Sequence, residues 1–272
     1  MNKGVAITGM GIISSIGNTL EENFQSLKSE APGISRIENI TTHHKDHIKV
    51  GEIKISNVDL AAFLKLPDTH NYSRTALIGE IAAREAIRNA GITDINSYRT
   101  GLISATSVGG MDLTEKYFYT WFDDAENHKF IESHSAGDST TKIANSLGIT
   151  GFVSTISTAC SSAANSIMLG ARMIKAGKLD RVIVGGADCM SKFTINGFKT
   201  LMILSENDCM PFDANRTGLN LGEAGAYLVL ESEECVKKDN KKVLGYVSGY
   251  ANANDAFHQT ASSKDGEGAT LA

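Results

Sequence analysis

Residues 152–188 read FVSTISTACSSAANSIMLGARMIKAGKLDRVIVGGAD. The run divides in three. Residues 152–156 form a short apolar, β-branched stretch, too brief for a helix. Residues 160–176 carry a helical pattern that Gly177 stops. Residues 181–184, RVIV, form a second strand, expected to end at Gly185-Gly186. Strand, helix and strand in immediate succession are the unit from which α/β folds with parallel sheets are built.

The alternation continues on both sides. Residues 5–8 are a strand, with a turn expected at Gly9-Met10-Gly11. Thr19 caps a helix running to about Ser29, and Glu22 stands at capping-box spacing from it. Residues 30–47 are a polar loop holding His43, His44 and His47; H-H-x-x-H in a charged loop reads as solvated surface before it reads as a metal site. Residues 48–55 alternate as a strand would. Residues 73–90 place Ala76, Leu77, Ile81, Ala83 and Ile87 at helical spacing, and Gly91 closes the run. A strand follows at 100–105, a glycine-rich turn at 107–112 leads into a helix, and a further helix spans 138–147 up to Gly148. Residues 193–204 read as helical. Residues 224–231 and 243–250 read as two strands joined by a turn. The fold class expected is α/β: a mixed, mostly parallel sheet flanked by helices, with an antiparallel pair at the end.

Composition narrows the function. The chain has 272 residues, 42% hydrophobic and 21% charged, with a net charge of −5. No basic arm or basic-aromatic stripe suggests nucleic acid. The pairs Lys237-Lys238 and Lys241-Lys242 read as a solvated turn. No stretch has the length and apolarity of a membrane span. The opening MNKGVAITGMGIISSIG superficially resembles a signal peptide, but four glycines interrupt it, so a strand and turn fit better. Cys160, Cys189, Cys209 and Cys235 are scattered, without C-x-x-C or nearby His at ligand spacing, so neither zinc nor a disulfide framework is expected. A reducing cytoplasm is the simplest setting.

Cys160 is different from the other three. It lies between a strand and a helix, with Ala159, Ser161 and Ser162 leaving space around it. The first N–H groups of a helix lack partners and the macrodipole is positive there, which favours an anion and can stabilise an oxyanion. Small buried fillers are nonetheless the commoner role of cysteine. On position alone the two readings of Cys160 weigh equally. For Cys189, Cys209 and Cys235 the filler or a plain surface thiol is expected.

The stretch TACSSAANSI at 158–167 resembles the nucleophile motif of the β-ketoacyl-acyl carrier protein synthases, condensing enzymes of the thiolase superfamily. VAITGMGIISSIGN at the start, SVGGMD at 107–112, VIVGGAD at 182–188, PFDANRTGLNLGEAGA at 211–226 and NDAFHQTASSKDGEGA at 254–269 are similar to family motifs in the same order. The likeness covers essentially the whole chain and is nearest to elongating type II enzymes, including those that extend polyene pigments.

The resemblance implies a thiolase-like first half at 1–241 and the beginning of a second half at 242–272. It implies that Cys160 takes an acyl group from the phosphopantetheine arm of an acyl carrier protein, and that a malonyl thioester then extends it by decarboxylative condensation. No metal or dissociable cofactor is then needed. It implies that Val108 lines the acyl tunnel, that Thr260 lies near the malonyl and pantetheine pocket, and that His258 is structural or pocket lining rather than catalytic. The family's two catalytic histidines and its lysine belong to motifs that would follow residue 272, so the 272 residues are expected to carry the nucleophile without condensing by themselves. A homodimer, or a heterodimer with a related synthase subunit, is also implied. Two alternatives stay open: a non-condensing partner similar to chain-length factors, and a thiolase-superfamily enzyme acting on coenzyme A esters. Asp213 and Arg216 are read as a loop-bracing ion pair, Glu223 as a structural acceptor of backbone N–H groups, and Gly109, Gly110, Gly185 and Gly186 as backbone turns, since they lack a phosphate-binding pattern.

Overall fold

The computed structural model describes residues 4–258 and 261–272. The chain opens with β1 (Val5–Ser14) and α1 (Leu20–Lys28), then a small ribbon of β2 (Ser35–Arg36) and β3 (Lys49–Val50). α2 (Asn57–Phe63) and the long α3 (Arg74–Asn89) lead to β4 (Thr100–Ala105). An excursion follows, with α4 (Met111–Tyr117) and α5 (His128–Ile131), pinned by stacking of Tyr117 on Phe130 and Trp121 on His128. Next come α6 (Ala136–Leu147), β5 (Val153–Ile156), α7 (Ser162–Lys175), β6 (Arg181–Asp188) and α8 (Lys192–Thr200). β7 (Ala224–Glu231), α9 (Glu233–Lys238), β8 (Gly245–Val247) and α10 (Glu267–Leu271) complete it.

Six strands make one sheet in the order β5-β4-β6-β7-β1-β8. β5, β4, β6 and β1 run one way; β7 and β8 run against them. The sheet is therefore mixed and, by strand direction, mostly parallel, as expected, with parallel pairing confined to β5-β4-β6. The antiparallel strands do not pair with each other, however: β7 and β8 lie on opposite sides of β1. The turn expected between them is instead helix α9, whose cap is readable in hindsight. Ser232 accepts from the Cys235 N–H, Glu233 and Glu234 occupy the first turn, and Lys237 and Lys238 the last. Lys241 is not a bystander either, because its ammonium donates to the Ala90 and Gly91 carbonyls at the end of α3.

Side chains alternate across the sheet and sort into two cores. Leu102, Ile183, Tyr227 and Val229 join Leu77, Ile78 and Ala82 of α3 on one face. Ile103, Val182, Val184 and Leu230 join Ala171 and Ile174 of α7 on the other. Glycines permit both helices to come close. A Cβ on Gly9 or Gly11 would press into the α3 backbone at Ala86 or Ala82, and one on Gly170 would strike Val182 and Val184. This corrects two expectations. Gly9-Met10-Gly11 is no turn, since β1 runs through it with a bulge between Ile7 and Gly9, and β6 continues through Gly185-Gly186 to Asp188. In each place the missing side chain serves close approach, against α3 for β1 and against the Ala226 backbone for Gly185.

The Thr19 cap is formed as expected, its hydroxyl accepting from Glu22 N–H at 3.2 Å. The strand expected over 48–55 shrinks to Lys49–Val50. The Asp213–Arg216 ion pair is not formed. Arg216 donates to the Asp213 backbone carbonyl at 2.8 Å while the Asp213 carboxylate accepts from Asn215 N–H, so the loop is braced through its backbone. Among the described residues no helix is long and apolar enough to cross a membrane.

Candidate active site

Between β5 and α7 the chain makes a short turn through residues 157–161. Cys160 stands here, two residues ahead of the first helical residue, with Ser161 in the N-cap position. The helix thus starts later than residue 160, and the cysteine sits at its threshold rather than in its first turn. The thiol is exposed. Its neighbour Ala159 has φ +52°, in the left-handed region that costs a residue with a Cβ about 1–2 kcal/mol. Three donors hold it there. The Ala159 carbonyl accepts from Ser162 N–H at 3.0 Å, from the Ser162 hydroxyl at 2.6 Å and from the Ser107 hydroxyl at 3.2 Å. The Ser162 hydroxyl also accepts from Thr158 N–H at 2.8 Å. The hydroxyl residues around Cys160 are therefore the lacing of the turn. Replacing Ala159 with glycine should relieve the strain but free the turn. Denaturant unfolding is expected to place Ala159→Gly within about 1 kcal/mol of the parent, because strain relief and added backbone entropy offset each other.

Cys160 opens on a cavity of about 510 Å³ that it shares with Ser15, Ser107, Asp188, Asn220 and Glu223. Asp188, the last residue of β6, shapes one wall. Its Oδ1 accepts from the Thr106 hydroxyl at 2.5 Å, Ser107 N–H at 2.8 Å and Val108 N–H at 3.3 Å. The Thr106 hydroxyl accepts in turn from Gly109 N–H at 3.1 Å. This folds residues 106–110 over the end of the sheet and aims the Ser107 hydroxyl at the cysteine turn. Asp188→Ala removes the acceptor for three donors. Water reaches Ser107 but Thr106 is buried, so a loss of about 1–3 kcal/mol is expected in thermal or denaturant unfolding.

The neighbouring part of the wall rests on a buried ion pair. Glu223, just ahead of β7, and Arg74, the first residue of α3, have side chains 1% and 6% exposed and meet at 2.6 Å. Glu223 also accepts from Ile53 N–H at 3.0 Å and Met190 N–H at 3.1 Å, the backbone role expected of it. The remaining Arg74 donors go to the Ile53 and Ile55 carbonyls and to the Asn57 side chain. Burial disfavours the charge on Arg74, but the hydrogen bonds and charge of Glu223 hold the guanidinium protonated. Cys189 is buried nearby, and burial pushes its thiol well above the usual range. Cys235 is also buried and raised for the same reason, while Cys209 is an exposed thiol.

The other sequence-derived candidates are dispersed. Val108 is half-buried beside Ser107, and Ser107, not Val108, faces the Cys160 cavity. His258 is exposed and lies off the cavity wall. Thr260 falls outside the described residues. Ser107, Asp188 and Arg74 were not singled out from sequence. Asp188 ends the VIVGGAD motif and Ser107 begins SVGGMD, so the motifs marked the right segments without saying which atoms bond. Among the described residues no group of three or more His, Cys, Asp or Glu is arranged to hold a metal ion.

The sequence model described as β-ketoacyl synthase, N-terminal domain, matches residues 2–235. The chain belongs to the β-ketoacyl synthase family. This β-ketoacyl synthase is 30% identical over 283 residues to 3-oxoacyl-[acyl-carrier-protein] synthase 2 of Staphylococcus aureus (strain COL), in an alignment covering 100% of the chain and 68% of that relative. Its fold matches the ishigamide ketosynthase/chain length factor with a TM-score of 0.89 at 28% identity, covering 100% of this synthase and 69% of that chain. It also matches the ketosynthase ApeO in complex with its chain length factor ApeC from Xenorhabdus doucetiae, with a TM-score of 0.79, 26% identity, and coverage of 98% and 65%. The thiolase-like architecture expected from the sequence motifs is thus the architecture of this synthase.

Proposed function

We propose that Cys160 is the acyl-accepting nucleophile and that its thioester is the species this synthase extends. The observation that supports this most directly is an exposed thiol on a left-handed turn at the mouth of a cavity. Left-handed backbone at a non-glycine residue is held against a cost, and such outliers concentrate where geometry serves chemistry.

In the first step the Cys160 sulfur attacks the carbonyl carbon of an acyl thioester carried on an acyl carrier protein. The new C–S bond forms, the bond to the pantetheine sulfur breaks, and the carrier leaves as a thiol with the proton that Cys160 gave up. Backbone N–H groups near the start of α7 are the proposed donors to the negative charge that develops on oxygen. In the second step a malonyl thioester loses carbon dioxide, its α-carbon attacks the acyl carbonyl, and Cys160 departs as a thiolate that regains its proton from solvent. By the family resemblance this step also calls on histidines that the 272 residues do not supply. Electrons and protons balance without a redox partner, so the proposed chemistry calls for no dissociable cofactor. Val108, Thr260 and His258 are proposed to contact the acyl and pantetheine parts of the substrate.

Similarity to ketosynthase and chain-length-factor assemblies supports a dimer, with a copy of itself or with a related subunit. The same similarity keeps one second reading, a non-condensing partner subunit. Four free cysteines suit a reducing cytoplasm. The test is incubation with an acyl-carrier thioester followed by peptide mass spectrometry. An acyl adduct on the peptide holding Cys160 supports the nucleophile. A carrier-dependent complex with no adduct favours the partner subunit, and adduct formation from coenzyme A esters alone favours the coenzyme A branch.

A further inference from the structure

We infer that Asn165 is a positioning residue, a buried amide that braces the cysteine turn from beneath and ties it to the loop after β8. The inference rests on the nucleophile reading of Cys160 for its purpose but not for its geometry. Asn165 lies one turn into α7 and is 8% exposed. Its Nδ2 donates to the Thr158 hydroxyl at 2.9 Å and to the Ser161 hydroxyl at 3.2 Å. Those hydroxyls lie 3.1 Å apart, and Ser161 in turn donates to the Thr158 carbonyl at 2.9 Å. One amide therefore grips the chain on both sides of Cys160, two residues before it and one after. The backbone repeats the link, since Asn165 N–H donates to the Ser161 carbonyl at 2.9 Å.

The other end of the amide faces a different element. Asn165 Oδ1 accepts from Asn252 Nδ2 at 2.8 Å. Asn252 belongs to the irregular segment after β8 that also holds Asn254 and His258. Both Nδ2 hydrogens and one of the two Oδ1 lone pairs of the Asn165 amide are thus used, two contacts on the cysteine turn and one on that segment. Leucine would fill the same volume in a helix packed on a sheet, but it would leave two hydroxyls and Asn252 without this partner. The polar connection is what the position provides. Together with the three donors on the Ala159 carbonyl, it holds the left-handed residue before Cys160 and so sets the direction of the sulfur.

The test uses the second exposed thiol as an internal standard. Cys160 and Cys209 are both exposed, so native-state labelling with iodoacetamide, read by peptide mass spectrometry, gives a Cys160-to-Cys209 rate ratio. A merely structural asparagine would change the melting temperature and leave this ratio alone, because Cys160 needs no unfolding to react. As a brace, Asn165→Ala is expected to lower the ratio about fivefold and Asn252→Ala about twofold, the scale of lost neutral hydrogen bonds. Asn252 is exposed, so its variant keeps the question answerable if Asn165→Ala does not fold. A ratio unchanged or raised in the folded variants overturns the inference. An acyl-carrier thioester is run in parallel on the parent protein. If Cys160 takes no acyl group yet the iodoacetamide ratio falls in the variants, the nucleophile reading fails and the brace stands.

Discussion

Cys160→Ala is expected to abolish covalent acyl capture while leaving the fold intact. The two outcomes separate because of where the sulfur lies. An exposed residue at a turn contributes little to packing, and substitutions of that kind change stability by about 0.5 kcal/mol or less. The adduct, in contrast, needs the sulfur itself. Peptide mass spectrometry after incubation with an acyl-carrier thioester should show the acyl mass on the parent peptide and none on the variant, with coincident unfolding curves. Label persisting on another cysteine of Cys160→Ala would transfer the nucleophile role elsewhere. Cys209 is the residue to watch, since Cys189 and Cys235 are buried with their thiols pushed up by burial.

Glu223→Ala is expected to carry the largest stability loss, about 3–5 kcal/mol, because it strands the Arg74 guanidinium in the interior. The molecule holds a matched control. Arg181 and Glu231 form a second buried pair, at 2.8 Å with side chains 1% and 0% exposed, and Thr8 donates to the same carboxylate. Glu231→Ala should destabilise to a similar degree. The two sites differ in what they face: Glu223 is part of the Cys160 cavity and Glu231 is not. At a temperature where both variants remain folded, acyl capture by Cys160 should slow in Glu223→Ala and stay near the parent rate in Glu231→Ala. Equal slowing in both would mean that the Glu223 pair acts only through global stability. Glu223→Gln keeps a neutral acceptor for the Ile53 and Met190 N–H groups and provides a milder step on the same scale.

Much of the fold was legible because its signals are local. β4 and β7 lie at their expected bounds, and α3 is capped by Ser73 and followed by Gly91 at φ +62°. What was misread depended on partners far along the chain. Gly9, Gly11, Gly185 and Gly186 look like turn residues from their own neighbours. They are strand residues because α3 or an adjacent strand passes too close for a side chain. β8 could not be assigned to β1 from sequence, since its partner lies some 240 residues earlier. The site shows the same division. Cys160 stood out by its place between strand and helix. Arg74 did not, because an arginine opening a helix ordinarily points to solvent, and only the approach of Glu223 explains its burial. Asn165 was likewise invisible, since one polar residue in a helix announces nothing until Thr158, Ser161 and Asn252 are brought to it.

The wall of the Cys160 cavity has a thermodynamic consequence. Ala105, Ala159, Ala163, Gly186, Ala187 and Gly222 contribute much of it. None of these has a rotatable side chain to freeze when a guest arrives, so along that part of the wall the ordering cost of binding falls on the guest. Such a surface sorts molecules by stiffness and cross-section. A guest already rigid and extended would lose little freedom against that part of the wall, whereas a flexible one of equal length would give up several rotors for the same contacts.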